Sequence, residues 1–281
     1  MTNFLNTSTL IAFIILHAFV GNNDRYFRKK KKNPVHIITT WELPDALEEV
    51  SGLSWIGEQK LAAIEDESGL IYIYDLAKKR IERTIEFGDD GDYEGVAVVG
   101  EDAYVMRSDG LLFEVLDYAA THPKTKTYQS AMSHKNNIET LAVDPKNHRL
   151  LFAPKDLDPN DEDIKGIYAF DLRKHKMLPD LVAPIAMKDK AFKKFEKHKS
   201  YRTFRPSDLA VHPKTGELYI LEGVNPKLII LDTAYAIKKV YELDEDDFAQ
   251  PEGITFSLEG RLFISNEASG GTPNIHEVEL D

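Results

Sequence analysis

The sequence predicts an all-β protein: a five-bladed β-propeller closed by an N-terminal strand, with a small helical insert, preceded by an N-terminal hydrophobic segment. Three observations predict it. Five segments share one beginning and recur at a near-constant interval. Each is followed by a polar turn and two further β-type runs. One strand-like run stands without a partner ahead of the first repeat.

The segment 1–34 comes first and does not belong to the repeats. Residues 10–20 (LIAFIILHAFV) are apolar apart from His17, and Arg25, Arg28 and Lys29 to Lys32 follow as a basic block. Eleven apolar residues fall short of the ~20 needed for a membrane span but suit the core of a signal peptide. Set against this, no Lys or Arg precedes the run, and cations after it favour the cytoplasmic side. The expectation is export to the periplasm or cell envelope, with the segment either cleaved or retained as an anchor to the inner membrane.

Next is the orphan run 36–43 (HIITTWEL), and then the repeats of the domain 35–281: VSGLSWI from Val50, YEGVAVV from Tyr93, IETLAVD from Ile138, SDLAVHP from Ser207 and PEGITFS from Pro251. Aligned on their second position they are anchored at Ser51, Glu94, Glu139, Asp208 and Glu252, at spacings of 43, 45, 69 and 44. A period near 44 with several short strands per unit is the signature of propeller blades. The last repeat runs out after its third strand, so the orphan run is expected to complete it and remove the exposed edges of the ring. The long interval holds two inserts rather than a sixth blade: 156–165 (DLDPNDEDIK) and about 187–205, the latter with helical character over about 189–199.

Composition narrows the function. The chain has 281 residues, 42% of them hydrophobic and 29% charged, and its formal net charge is −12. That is ordinary globular composition. The absence of cysteine excludes disulfides, thiolate metal sites and a cysteine nucleophile. The acidic balance argues against nucleic acid as a partner. Residues 1–32 carry six cations and one acid, which leaves 29 cations against 46 acids, or −17, on the remainder.

Part of that charge has an address. In a propeller the first strand of every blade lines the channel, so Glu94, Glu139, Asp208 and Glu252 are expected to face one another near one mouth. The second strands return to the same mouth, bringing Glu65 and Asp66, Arg107 and Asp109, Lys155 and Asp156, Glu222 and Asn225, and Asn266 and Glu267. Like charges so placed raise one another's pKa and call for a cation. Oxygen-only ligands suit Ca²⁺, with Glu94, Glu139, Asp208, Glu252 and Glu65 as candidate metal ligands. Arg107, Lys155, Glu222 and Asn266 are candidates to orient a bound molecule. The alternative is a purely structural ring whose carboxylates cap backbone N–H groups or pair with Arg107 and Lys155.

Other patterns carry less. Asp156, Asp158 and Asn160 open like a calcium loop, but Asp161 stands where such a loop needs glycine and Ile167 where it needs glutamate, so a solvated acidic turn is expected. Ser54 is not in a nucleophile elbow. His148 and His212 fall in turns. The insert 187–205 holds eight cations against two acids; a solvated face packed on the acidic propeller is the expectation, with an anionic partner as the alternative.

The linked motifs VSGLSW, DYEGVAVV, NNIETLAVDPKNHRLLFAPKD, RPSDLAVHPKTGELYILEGVNPKLIILD and QPEGITFSLEGRLFISNE resemble the SdiA-regulated (YjiK-like) bacterial family over about 36–281. The resemblance implies a five-bladed propeller with an N-terminal membrane or signal segment and a calcium site, distantly similar to NHL-repeat, gluconolactonase-like and phytase-like propellers. Carried onto this sequence, the calcium site falls on Glu94, Glu139 and Glu252, with Asp208 and Glu65 as further candidates. Ser51 departs from the pattern, so the ring is not five-fold in charge. Two functions follow: a calcium-binding module for an unknown small-molecule or protein ligand, monomeric; or a calcium-dependent hydrolase, a lactonase, esterase or phytase-like phosphoesterase, at the same mouth.

Overall fold

A computed structural model describes residues 34–281; the expected leader and its basic linker lie outside the described residues. β1 (Val35–Glu42) opens the described chain. β2 (Val50–Gly57), β3 (Lys60–Glu65), β4 (Leu70–Asp75) and β5 (Arg80–Glu86) make the first blade, and β6 (Tyr93–Val99), β7 (Asp102–Arg107), β8 (Leu111–Leu116) and β9 (Lys124–Gln129) the second. The third has β10 (Ala142–Asp144), β11 (Arg149–Phe152) and β12 (Ile164–Asp171), with its outer edge split between β13 (Lys176–Met177) and β14 (Ala183–Ala186). β15 (Asp208–Val211), β16 (Leu218–Glu222), β17 (Lys227–Leu231) and β18 (Ile237–Glu242) make the fourth. β19 (Pro251–Phe256), β20 (Leu262–Asn266) and β21 (Asn274–Leu280) make the fifth, and β1 pairs antiparallel with β21 to complete it. The ring therefore closes through its N-terminal strand, as the orphan run predicts.

The first strands are innermost: β2 touches β6, β6 touches β10, β10 touches β15, β15 touches β19 and β19 returns to β2. Their sequences do not alternate, because both faces of these strands are covered. The outer strands β5 and β9 are mostly exposed and rich in Lys, Arg, Glu, Thr and Gln. The hydrophobic core is not a single mass but five seams, one between each pair of neighbouring blades. Tyr74 and Phe263 are buried in the seam between the last and first blades, and Phe170 in that between the second and third. The closing blade is tied to the first by Trp41, whose indole N–H donates to the Leu76 carbonyl at 2.8 Å.

Three channel strands share a feature the repeat did not reveal. The pairing slips by one residue between Val50 and Gly52, between Tyr93 and Gly95, and between Pro251 and Gly253. The residue passed over is the anchor in each case: Ser51, Glu94 or Glu252. A bulge leaves its extra residue out of the ladder and re-aims the side chain. The glycine that follows lets adjacent channel strands approach. A Cβ on Gly95 would lie 2.8 Å from Leu141 Cβ and 3.0 Å from its backbone nitrogen.

The long interval holds two inserts, but the second is not helical over 189–199. It has two single 3₁₀ turns, Lys190–Phe192 and Ser200–Arg202, joined by irregular chain. The physical reason is tertiary: Phe192 and Phe204 are fully buried in the seam between the third and fourth blades, with stacked rings 5.5 Å apart, and an isolated helix of this length is marginal in water. The first insert is exposed over 159–162, as a solvated turn is, but it is anchored at one residue. Asp158 is buried, accepting from the Gly166 N–H at 2.7 Å and the Tyr168 hydroxyl at 3.0 Å.

A carboxylate-rich channel mouth as the candidate functional site

The antiparallel register fixes which side chains meet at the mouth. Val50 pairs with Glu65, Tyr93 with Arg107 and Pro251 with Asn266, so the start of each first strand lies beside the end of each second one. Glu94, Glu139, Glu252, Glu267 and Asp66 then form one electrostatically connected group, with Lys155 and Arg205 as its cations.

Glu139 and Glu252 are 4% and 5% exposed. Lys155 is ion-paired with Glu139, whose other oxygen accepts from the Asn137 side-chain amide at 2.6 Å. Gly223 brings the fourth blade's backbone against Glu252; a Cβ there would lie 2.5 Å from Glu252 Oε1. Loss of hydration pushes Glu94 up to about 10, reinforced by Glu139 and Asp92 and opposed by Lys155. Burial raises Glu139 to about 8 and Glu252 to about 7, both against the pull of Lys155. Burial and then Asp66 raise Glu267 to about 7; burial and then Glu49 raise Asp66 to about 6. Burial works against the charge of Lys155, yet Glu252, Glu139 and Glu94 hold its pKa above the ordinary lysine value.

The other candidates are placed differently. Asp208 is buried with both carboxylate oxygens engaged: Oδ1 accepts from the backbone N–H of Leu209 at 2.8 Å and Leu141 at 3.3 Å, Oδ2 from that of Ile254 at 2.8 Å. It ties the third, fourth and fifth blades together. Glu65 accepts from the N–H of Glu67 and Ser68 at 2.9 and 2.8 Å and closes its own turn. Glu222 is fully buried and paired with Lys227 at 2.5 Å, with Asn225 donating to it at 3.2 Å. Arg107 is held by Asp109 at 2.8 Å and lies over Phe113. Asn266 is buried; its amide donates to Asn274 and its Oδ1 has no hydrogen-bond partner. Ser51, the anchor without charge, donates to the Tyr93 carbonyl at 2.8 Å. His212 accepts two backbone N–H groups within its turn.

Sequence reasoning favoured Glu65 and Asn266 at the two strand ends, whereas the residues drawn into the connected group are their neighbours Asp66 and Glu267. Side chains alternate along a strand, so a shift of one residue decides which member of each pair faces the channel.

The mouth suits calcium in one respect and not in another. Its donors are all oxygens, and Asp66 Oδ1 and Asn266 Oδ1 are buried without partners. Among the described residues, however, no three His, Asp or Glu side chains converge closely enough to hold an ion. An ammonium, that of Lys155, already lies against Glu139. The far end of the channel is apolar, a space of about 230 Å³ lined by residues such as Leu53, Val96, Leu209 and Leu258.

The SdiA-regulated family matches residues 29–274, the length of the propeller. The chain belongs to the SdiA-regulated family. No curated protein matches it. Among solved structures, Myxococcus xanthus glutaminyl cyclase superposes with a TM-score of 0.62 at 16% identity, covering 88% of this chain and 96% of that one. A streptogramin B lyase superposes with a TM-score of 0.50 at 12% identity, covering 88% and 98%. At such identities the likeness is one of fold, and it places this SdiA-regulated chain among β-propellers.

Proposed function

We propose that this SdiA-regulated propeller is an exported or membrane-anchored binding module that takes a cation, calcium, at its acidic mouth. The observation that carries the reading is the excess of acid. Five carboxyl groups share the mouth with one ammonium and one guanidinium, and all five are held above their ordinary pKa. A divalent cation relieves both the desolvation of these groups and their mutual repulsion. Glu94, Glu139, Glu252, Glu267 and Asp66 are the donors proposed, with Asn266 beside them; Lys155 must give way for the ion to enter.

Thermal unfolding of the full chain with and without Ca²⁺ tests this. A hundredfold excess over Kd adds about 2.7 kcal/mol to the wild type. Glu94→Gln combined with Glu252→Gln removes the gain. A wild type indifferent to Ca²⁺ rules the reading out.

A second reading, a calcium-dependent hydrolase at the same mouth, is favoured by Glu94. Burial keeps its proton at neutral pH beside the Lys155–Glu139 pair, as a general acid requires. Turnover of a lactone, an aryl ester or phytate that is lost on chelation supports it; silence across all three excludes it.

A further inference from the structure

The insert 187–205 lies beside the mouth, and its cations fall into two sets. Lys188 pairs with Asp163, Lys194 with Glu242 and Arg205 with Asp156, which fastens the insert to the propeller. Lys197, His198, Lys199 and Arg202 line a pocket of about 600 Å³, which Val224, Asn225 and the ion-paired Arg205 complete. No carboxylate lines this pocket. Lys197, Lys199 and Arg202 have no ion-pair partner among the described residues.

Tyr201 gathers these charges. The Lys199 ammonium, the Arg202 guanidinium and the ammonium of the buried Lys165 all lie over its ring, at 6.0, 5.6 and 5.6 Å from the centroid. Phe195 does the same for the buried Lys227, at 4.9 Å. Cation–π contacts orient such groups but do not neutralise them. Burial lowers Lys165 to about 7 against the pull of Asp156, with Arg205 adding to the depression; burial lowers Lys227 against the pull of Glu222, with Lys197 adding a smaller push. Val224, 51% exposed, supplies an apolar wall.

We propose that this pocket binds a soluble small molecule bearing a phosphate group, held by Lys197, Lys199 and Arg202. Phosphate carries about two charges at neutral pH and offers three acceptor oxygens, which suits several convergent donors better than one carboxylate does. Arg202 provides a planar fork for those oxygens, while Arg205, held by Asp156, flanks the pocket. The site is separate from the carboxylate group of the mouth and does not depend on calcium. Arg205, which faces both, places the two side by side.

Calorimetric titration of the full chain with pyrophosphate is the test. Saturable binding that weakens with added salt is expected. Lys199→Gln with Arg202→Gln should weaken it about tenfold or more, as loss of two charge-assisted contacts does. Lys190→Gln with Lys193→Gln, which removes equal charge from exposed positions of the same insert that do not line the pocket, should leave it within about twofold, since exposed charges that make no direct contact are screened by salt. An equal loss in both variants would show a diffuse basic surface and overturn the proposal, as would no binding at low salt. Binding to vesicles containing phosphatidic acid without binding of pyrophosphate overturns it in favour of a lipid headgroup.

Discussion

Lys155 holds the mouth together. It is the partly buried counter-ion of the buried Glu139 and acts on Glu94 and Glu252 as well. Lys155→Gln leaves those acids uncompensated; removing one partner of a buried pair costs about 3–5 kcal/mol. Urea unfolding should show the full loss near pH 8 and a smaller one near pH 5, where the carboxyls take up protons. Added Ca²⁺ should recover part of it if the mouth accepts that ion. The wild type has its own pH signature. Its mouth carboxyls have folded-state values above their unfolded ones, so the native state holds more protons than the unfolded state. Their contribution is complete below the ordinary carboxylate values of 3.8 and 4.5 and is lost as pH rises through about 6 to 8. Stability that climbs steadily from pH 5 to pH 8 without Ca²⁺ would contradict this placement of the acids. Asp208 plays a different part: Asp208→Asn puts a donor against backbone N–H groups and should cost about 1–3 kcal/mol in chemical denaturation, with no change in calcium response.

At the scale of elements, the bulged channel strands decide which residues the mouth presents. Glu94 and Glu252 are legible as members of a repeat, because their neighbours recur in the same order. That each is stepped out of the ladder is not legible, since a bulge is set by how two strands pair. The same blindness exchanged Glu65 for Asp66 and Asn266 for Glu267. Gly95 follows the bulge, and Gly95→Ala should destabilise the protein by about 1–3 kcal/mol through overpacking against Leu141; thermal unfolding measures it. The insert was expected to be helical over about 189–199, but Phe192 and Phe204 are claimed by the seam between two blades, and the chain follows its anchors rather than its propensity.

For the molecule as a whole, the ring depends on β1. Its pairing with β21 runs from Val35 opposite Leu280 to Glu42 opposite Asn274, and it seats Trp41 in the seam between the last and first blades. A chain beginning at residue 44 loses that strand. It exposes the edge of β21 and opens two seams, and it should unfold at lower temperature with reduced cooperativity and a tendency to associate through the bare edge. Light scattering and calorimetry would report this; a monomer melting like the full chain would show that the closure is dispensable. The sequence by itself determined the blade count, the closing strand and the acidic character of one mouth, because these rest on a local pattern that recurs from blade to blade and on the one strand-like run left outside it. Only the tertiary structure decided which carboxylates lie together, that Lys155 takes Glu139 as its partner and that the insert's unpaired cations share one pocket. Those outcomes depend on register, bulges and burial, which arise only when blades that are distant in sequence are packed against each other.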